Sequence, residues 1–201
     1  LYANEIVKQI KEENLTLDDI QFFPVGIYGF FNDCFLRMFG KEAENDIPYS
    51  EVKPLLEFLC ISQEPVKVDF LEEYLQIDEY RLKEILALIS GMFPIRGQVI
   101  EVIHKSLVDW LTDSSDVGHI FYVSKKNGYK RLLAYIEKKY AAQEYDNPYV
   151  MKYFGDTLLA LKSYDRLAEI LDNYELQKTI IAKLDFDSGL ERYLSELESL
   201  H

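Results

Sequence analysis

With 201 residues, 48% of them hydrophobic, and with 15 Tyr and 12 Phe spread from end to end, the chain has enough apolar mass to fold throughout, which excludes a disordered linker. Its 35 acidic residues outnumber 22 basic ones for a net charge of -13, a balance that repels a nucleic-acid backbone or an anionic membrane and points to protein partners. There is no run of about 18 apolar residues and no basic-then-apolar leader at the start, so neither a spanning helix nor a secretory signal is expected, and the expected location is the cytoplasm.

In chain order, Tyr2, Ile6, Val7 and Ile10 share one face of a first helix, and Thr16 with Asp19 imitates a capping box for a short second one. The chain starts at Leu1, without methionine and inside a helical pattern, as an excised piece of a longer protein would. Pro24 then opens a helix in which Ile27, Phe30, Phe31, Cys34, Phe35 and Met38 recur at intervals of three and four, closed by Gly40. The polar stretch 41–48 reads as a loop and a boundary.

Beyond it the pattern predicts helices over about 51–61, 67–75 and 78–90, with Ser50 and Asp78 as N-caps and Pro65 as a breaker. The period then changes. Residues 92–95, a turn at Arg96-Gly97 and residues 98–103 read as a β-hairpin, and 105–111 returns to helix. Three helices, a hairpin wing and a closing helix make a winged-helix domain. After the acidic loop 112–116, helical patterns recur at about 126–142, 148–162, 164–172, 174–184 and 189–199, separated by Asn147-Pro148, Ser163, Asp172-Asn173 and Ser188-Gly189. The expected fold class is mainly α: a helical segment, a winged helix with a small β-hairpin, then a helical array or bundle.

No phosphate-binding loop of the form GxxxxGK[ST] occurs, since Gly40-Lys41 lacks the upstream glycine and the hydroxyl residue. His104, Ser106 and Asp109 fall within six residues of one another with no Gly-x-Ser-x-Gly turn to present the serine, so a hydrolytic triad is not expected and the chain is read as no enzyme. Cys34 and Cys60 sit in apolar helical patterns away from any Cys/His cluster, which predicts buried free thiols and no metal.

The candidate recognition helix 78–90 sets Arg81 and Lys83 against Asp78, Glu79 and Glu84, and the wing adds only Arg96. That is too little positive charge to neutralise several phosphates. Lys125, Lys126, Lys130 and Arg131 form a basic cluster above an apolar face of Tyr129, Leu132, Leu133 and Ile136, and read as a solvated surface. His104 stands in alternation with Ile100 and Val102 where strand becomes helix, followed by Lys105-Ser106. Helix starts bind anions through free N–H groups, so an imidazole there can reach a phosphate oxygen; the plainer reading is a histidine that caps or packs.

The string Val102-Ile103-His104-Lys105-Ser106-Leu107-Val108-Asp109-Trp110-Leu111 resembles the winged-helix signature of STAND-class ATPases, the NACHT and NB-ARC signalling proteins that include immune receptors and apoptosome scaffolds. The neighbouring segments agree. Leu1-Tyr2-Ala3 with residues 24–39 resembles the helical domain after the ATPase core, and Pro54-Leu55-Leu56 with Glu64-Pro65 the start of the winged helix. Residues 149–171, with Tyr164-Asp165-Arg166-Leu167, resemble the second helical domain that leads to a repeat sensor.

The resemblance spans nearly the whole chain and implies three modules: the tail of a first helical domain at 1–45, the winged helix at 46–116 and a second helical domain at 117–201. It implies that His104, with Lys105 and Ser106 at the supporting helix start, contacts the β-phosphate of ADP in the intact parent and holds a closed state. Exchange for ATP then releases the winged helix and exposes an oligomerisation surface. The P-loop and the Mg-binding acidic strand are absent from these residues, so no cofactor is expected for the chain by itself. The implied partners are its own NTPase core, neighbouring protomers and downstream sensor repeats, with no nucleic acid and no membrane. The alternative is a stand-alone winged-helix adaptor that docks a protein without nucleotide.

Overall fold

A computed structural model describes residues 26–62, 64–101, 105–113, 119–184 and 186–199. The helices expected over 2–10 and after Thr16, and the histidine at 104, lie outside the described residues. The chain divides into two compact units, Leu1–Val123 and Ser124–His201.

In the first unit, helix α1 (Gly26–Phe39) is followed by α2 (Tyr49–Leu59), β1 (Val66–Lys67), α3 (Val68–Leu75), α4 (Glu79–Ile89), β2 (Ile95–Arg96), β3 (Val99–Ile100) and α5 (Lys105–Leu111). The strands form one antiparallel sheet in the order β1-β3-β2. Helix, strand, two helices and a hairpin whose second strand lies at the centre of the sheet constitute a winged helix. Its core follows from helical spacing: Val52, Leu55, Leu56 and Leu59 of α2, Leu71 of α3, and Leu82, Ile85, Leu86 and Ile89 of α4 are all buried.

Asp78 caps α4 as expected, its Oδ1 accepting from the Arg81 backbone N–H at 2.9 Å. Ser50 does not cap α2. The helix begins two residues earlier, at Tyr49, with Pro48 as an extended N-cap that makes no side-chain cap bond, and Ser50 lies in the first turn. Tyr49, the first residue of the helix, ties that start to a distant segment, its hydroxyl donating to the Phe121 carbonyl at 2.6 Å.

The hairpin is shifted and shortened. Ile95 pairs with Ile100 and Arg96 with Val99, so the two-residue turn is Gly97-Gln98, and Gly97 takes φ 65, which only glycine adopts at little cost. Residues 92–94 are not strand. The Met92 and Phe93 N–H groups both donate to the Ile89 carbonyl, wrapping the end of α4 and burying Phe93 completely. The third strand, β1, pairs Val66 with Ile100 and Lys67 with Val99.

The second unit holds α6 (Lys125–Ala141), α7 (Pro148–Ala160), α8 (Tyr164–Leu171), α9 (Tyr174–Leu184) and α10 (Phe186–Glu198). Helices α6 and α7, α7 and α8, and α9 and α10 pack as sequential neighbours around Ile136, Val150, Phe154, Leu158, Leu167 and Leu176. Asn147 starts α7, its Oδ1 accepting from Tyr149 N at 2.9 Å and Val150 N at 3.3 Å, with Pro148 in the first turn. Asn173 starts α9 through Leu176 N at 3.0 Å.

Gly189, expected as a break before the last helix, lies inside it instead. A Cβ there would come within 2.7 Å of the Ile181 Cα, so the missing side chain lets α10 cross close over α9. Among the described residues no helix is long and apolar enough to cross a membrane.

Candidate functional site

The helix that a DNA-binding winged helix would present is α4, and its cations are engaged at home. Arg81 donates from Nε to Glu51 Oε1 at 2.6 Å, from Nη2 to Glu51 Oε2 at 2.8 Å and from Nη1 to Glu84 Oε2 at 2.9 Å, with Asp46 at 3.7 Å. Those bonds hold the Glu51 carboxyl below its ordinary range and push the guanidinium further up. Lys83 pairs with Glu79, which likewise raises its ammonium. In the wing, Arg96 lies 3.7 Å from Glu101. The exposed face of α4 is therefore electrically closed, with Tyr80 standing out at 73% exposure.

Helix α5 carries the residues singled out for a phosphate contact. Lys105 is its exposed first residue, Ser106 is half-buried in the first turn, and Asp109 is exposed one turn on. Ser106 and Asp109 are three residues apart on one helix, and His104 lies outside the described residues. The opposite face of α5, Leu107, Trp110 and Leu111, is buried.

Trp110 ties this helix to α1. Its ring centroid lies 5.1 Å from that of Phe35 at 68° and 5.8 Å from that of Phe31 at 45°. Phe35 also meets Phe121 at 5.3 Å, and Tyr49 crosses Phe121 edge-on at 5.3 Å. Burial of Tyr49 pushes its phenol well above the ordinary range. The Val123 N–H donates to the Leu111 carbonyl at 2.7 Å, so the segment 119–123 closes back on the end of α5. Helices α1, α2 and α5 thus interlock through edge-to-face aromatic pairs, each contributing about 0.5–1.5 kcal/mol beyond area burial.

His119 completes the cluster. It stacks on Trp110 at 5.2 Å and 22°, and its Nδ1 accepts from the Phe121 N–H at 3.1 Å. With Nδ1 an acceptor, the ring proton sits on Nε2 and points to the Trp110 carbonyl 3.3 Å away. Sequence reading passed over this histidine because nothing local marks it; its partners lie two and nine residues back and forth along the chain.

A cavity of about 300 Å³ lies between the end of α2 and β3, lined by Leu59, Ser62, Glu64, Pro65, Val66, Ile100 and Glu101. Two carboxylates in its wall make it a poor cradle for phosphate. Among the described residues no group of three or more His, Cys, Asp or Glu is placed to hold a metal ion. Neither cysteine is in a disulfide; Cys60 is buried as expected, whereas Cys34 is only half-buried.

The class that this geometry defines is a winged-helix unit followed by a helical array. No family model matches the chain, and no match was found among curated proteins or solved structures.

Proposed function

We propose that the chain is the regulatory portion of a STAND-class nucleotide switch, acting in the cytoplasm in signalling or defence. The observation that carries this reading is the coupling of α5 to α1 through Trp110, Phe31 and Phe35. Residue 104 immediately precedes α5 in sequence. A phosphate contact made there acts on a helix that is locked to its neighbours, so gaining or losing it is passed to the whole first unit and not absorbed in a side chain. The moving body is then the first unit with α1 included.

The described residues fit a peripheral phosphate contact and not a cradle: Lys105 supplies one exposed cation and Ser106 a hydroxyl in the first turn of α5. The ADP or ATP of the intact parent is held chiefly by its NTPase core, and His104 adds the contact that distinguishes closed from open. Loss of that contact frees the surface that meets neighbouring protomers, a population shift between two states. Downstream sensor repeats bias the same equilibrium.

The test is ADP release and self-association of the full-length parent carrying His104→Ala, beside its melting temperature. Removing a hydrogen bond worth about 1–3 kcal/mol that exists only in the closed state shifts the equilibrium by about tenfold or more. Faster release and spontaneous assembly are expected. A lowered melting temperature with unchanged release makes His104 a capping residue.

A second reading, a winged-helix adaptor that docks a protein without nucleotide, draws on the exposed Tyr80 on the charge-neutral face of α4. A P-loop in the residues upstream of Leu1 discriminates between the two.

A further inference from the structure

The outer face of α4 is open to solvent. Tyr80, Lys83 and Ala87, with Gly91 just past the helix end, recur at intervals of three and four, and all four are exposed, Tyr80 at 73%. The opposite side of the helix, Leu82, Ile85, Leu86 and Ile89, is buried. A Cβ added at Gly91 would meet nothing within 4 Å, so the far end of the stripe is unobstructed. Tyrosine is favoured where protein surfaces meet, because its rigid ring supplies contact area at little entropic cost while its hydroxyl stays wet at the edge.

The rim of this face is acidic. Glu51, Glu84 and Asp46 stand around Arg81, three carboxylates on one guanidinium. Lys83 pairs with Glu79, and Glu72 of α3 is near enough to raise its ammonium further, two carboxylates on one cation. Asp46, its side chain 93% exposed, lies 3.7 Å from Arg81 and keeps most of its surface to solvent. The same excess runs through the unit. Residues 1–123 hold 22 of the 35 acidic residues against 10 of the 22 basic ones, a net of -12, whereas residues 124–201 carry only -1.

We propose that the outer face of α4 docks a Lys/Arg-rich segment of a partner protein, with Tyr80 as the apolar anchor and Asp46 and Glu72 as the carboxylates that meet the partner's cations. Complementarity of charge selects this occupant. Nucleic acid or an anionic membrane brings phosphate against a surface of its own sign. A second copy of the chain brings no excess of cations, since its first unit is equally acidic and its second is close to neutral. A basic segment meets the carboxylates that remain in excess over Arg81 and Lys83. Its alkyl stems lie along the Tyr80 ring, whose face attracts a cation. The inference rests on the second reading above, protein docking at Tyr80, and adds the chemistry of the partner.

Three labelled amphipathic peptides of one length test it, alike in their leucines and carrying lysine, glutamine or glutamate at the polar positions. Each is titrated by fluorescence anisotropy against the full 201-residue chain. The lysine peptide should bind at about 0.1 M salt and lose most of that affinity at about 1 M, where the screening length is about 3 Å. Tyr80→Ala should weaken it by about tenfold, and Asp46→Asn with Glu72→Gln by about fivefold, each with an unchanged circular dichroism spectrum. Glu191→Gln with Glu198→Gln, which removes the same charge from exposed positions of the second unit, should change nothing. Equal binding of the glutamine peptide, still lost in Tyr80→Ala, overturns the basic partner and leaves protein docking at Tyr80 standing. Lysine-peptide binding that ignores Tyr80→Ala, or no binding of any of the three, overturns both. A chain that sediments as a dimer, and as a 23.6 kDa monomer in Tyr80→Ala, gives the face to a second copy. Tighter binding of duplex DNA than of the lysine peptide gives it to nucleic acid, and either result overturns the proposal.

Discussion

Arg81 grips Glu51 with two parallel hydrogen bonds, at 2.6 and 2.8 Å, and turns its third donor to Glu84 one helical turn ahead. Arg166 does the same in the second unit, holding Glu137 at 2.8 and 2.7 Å and Glu169 at 2.6 Å. The local sequences are alike, Arg81-Leu82-Lys83-Glu84-Ile85-Leu86 and Arg166-Leu167-Ala168-Glu169-Ile170-Leu171. In each, the Leu, Ile and Leu face the core while the Arg and Glu form a clamp at its rim. Bidentate geometry makes Lys a poor substitute at either position.

The Arg81 clamp contributes to the acid response of the first unit. Hydrogen bonding from Arg81 lowers the Glu51 pKa in the folded state, so its stabilisation is present above the unfolded value and is lost as pH falls through the folded one. Glu51→Gln should therefore flatten the acid limb of a denaturation series between about pH 5 and 3. Glu196 works in the other sense. Burial chiefly raises its carboxyl while Arg192 partly offsets the shift, so its contribution is full at low pH and is lost as pH rises through the folded value. The stability of Glu196→Gln relative to wild type should then grow from about pH 4 to 7. Parallel curves for either variant and wild type would rule out that linkage.

Phe35 is fully buried and meets the rings of Trp110, Phe121, Phe39 and Tyr49. Phe35→Ala should cost about 3–5 kcal/mol by loss of burial and of the space it fills. Tyr49→Phe removes only the hydrogen bond to the Phe121 carbonyl, and should cost about 1 kcal/mol. Urea titrations followed by Trp110 fluorescence give both values. An equal loss in the two variants would show that the hydroxyl, and not the rings, holds α1 in place.

Asn173 does two jobs at once. Its Oδ1 caps α9 and its Nδ2 donates to the Tyr140 hydroxyl at 2.6 Å. Asn173→Ala should lose about 1–2 kcal/mol, and Asn173→Asp, which keeps the cap but not the donor, about half of that. Thermal melts of the two variants separate the roles. An aspartate variant as unstable as the alanine one would mean that the cap contributes nothing.

The chain should bind double-stranded DNA weakly and without sequence preference at moderate salt, because Arg81 and Lys83 are already paired on α4. Fluorescence anisotropy with labelled duplexes measures this. Submicromolar, sequence-dependent binding at physiological salt would overturn the electrostatic argument. The chain by itself should also show no ATP hydrolysis above a buffer blank, as the sequence contains no phosphate-binding loop.

Several elements were legible along the chain because their signals are local. The bounds 105–111 and 174–184, the Asp78 cap and the Asn147-Pro148 start of α7 each depend on residues within one helical turn. The start of α5 at Lys105 and Ser106 was legible in the same way, and the reading of His104 rests on resemblance. What only the tertiary structure decided involves distant partners. Two-residue β1 exists because β3 reaches it from 33 positions on, and the ring partner and hydrogen-bond acceptor of Tyr49 lies 72 residues away. Gly189 reads as a breaker until α9 is seen passing beneath it. Periodicity and capping report which face of a helix is apolar and where it stops. Which other face meets it, and which carboxylate an arginine finds there, is set by packing between elements far apart in the chain.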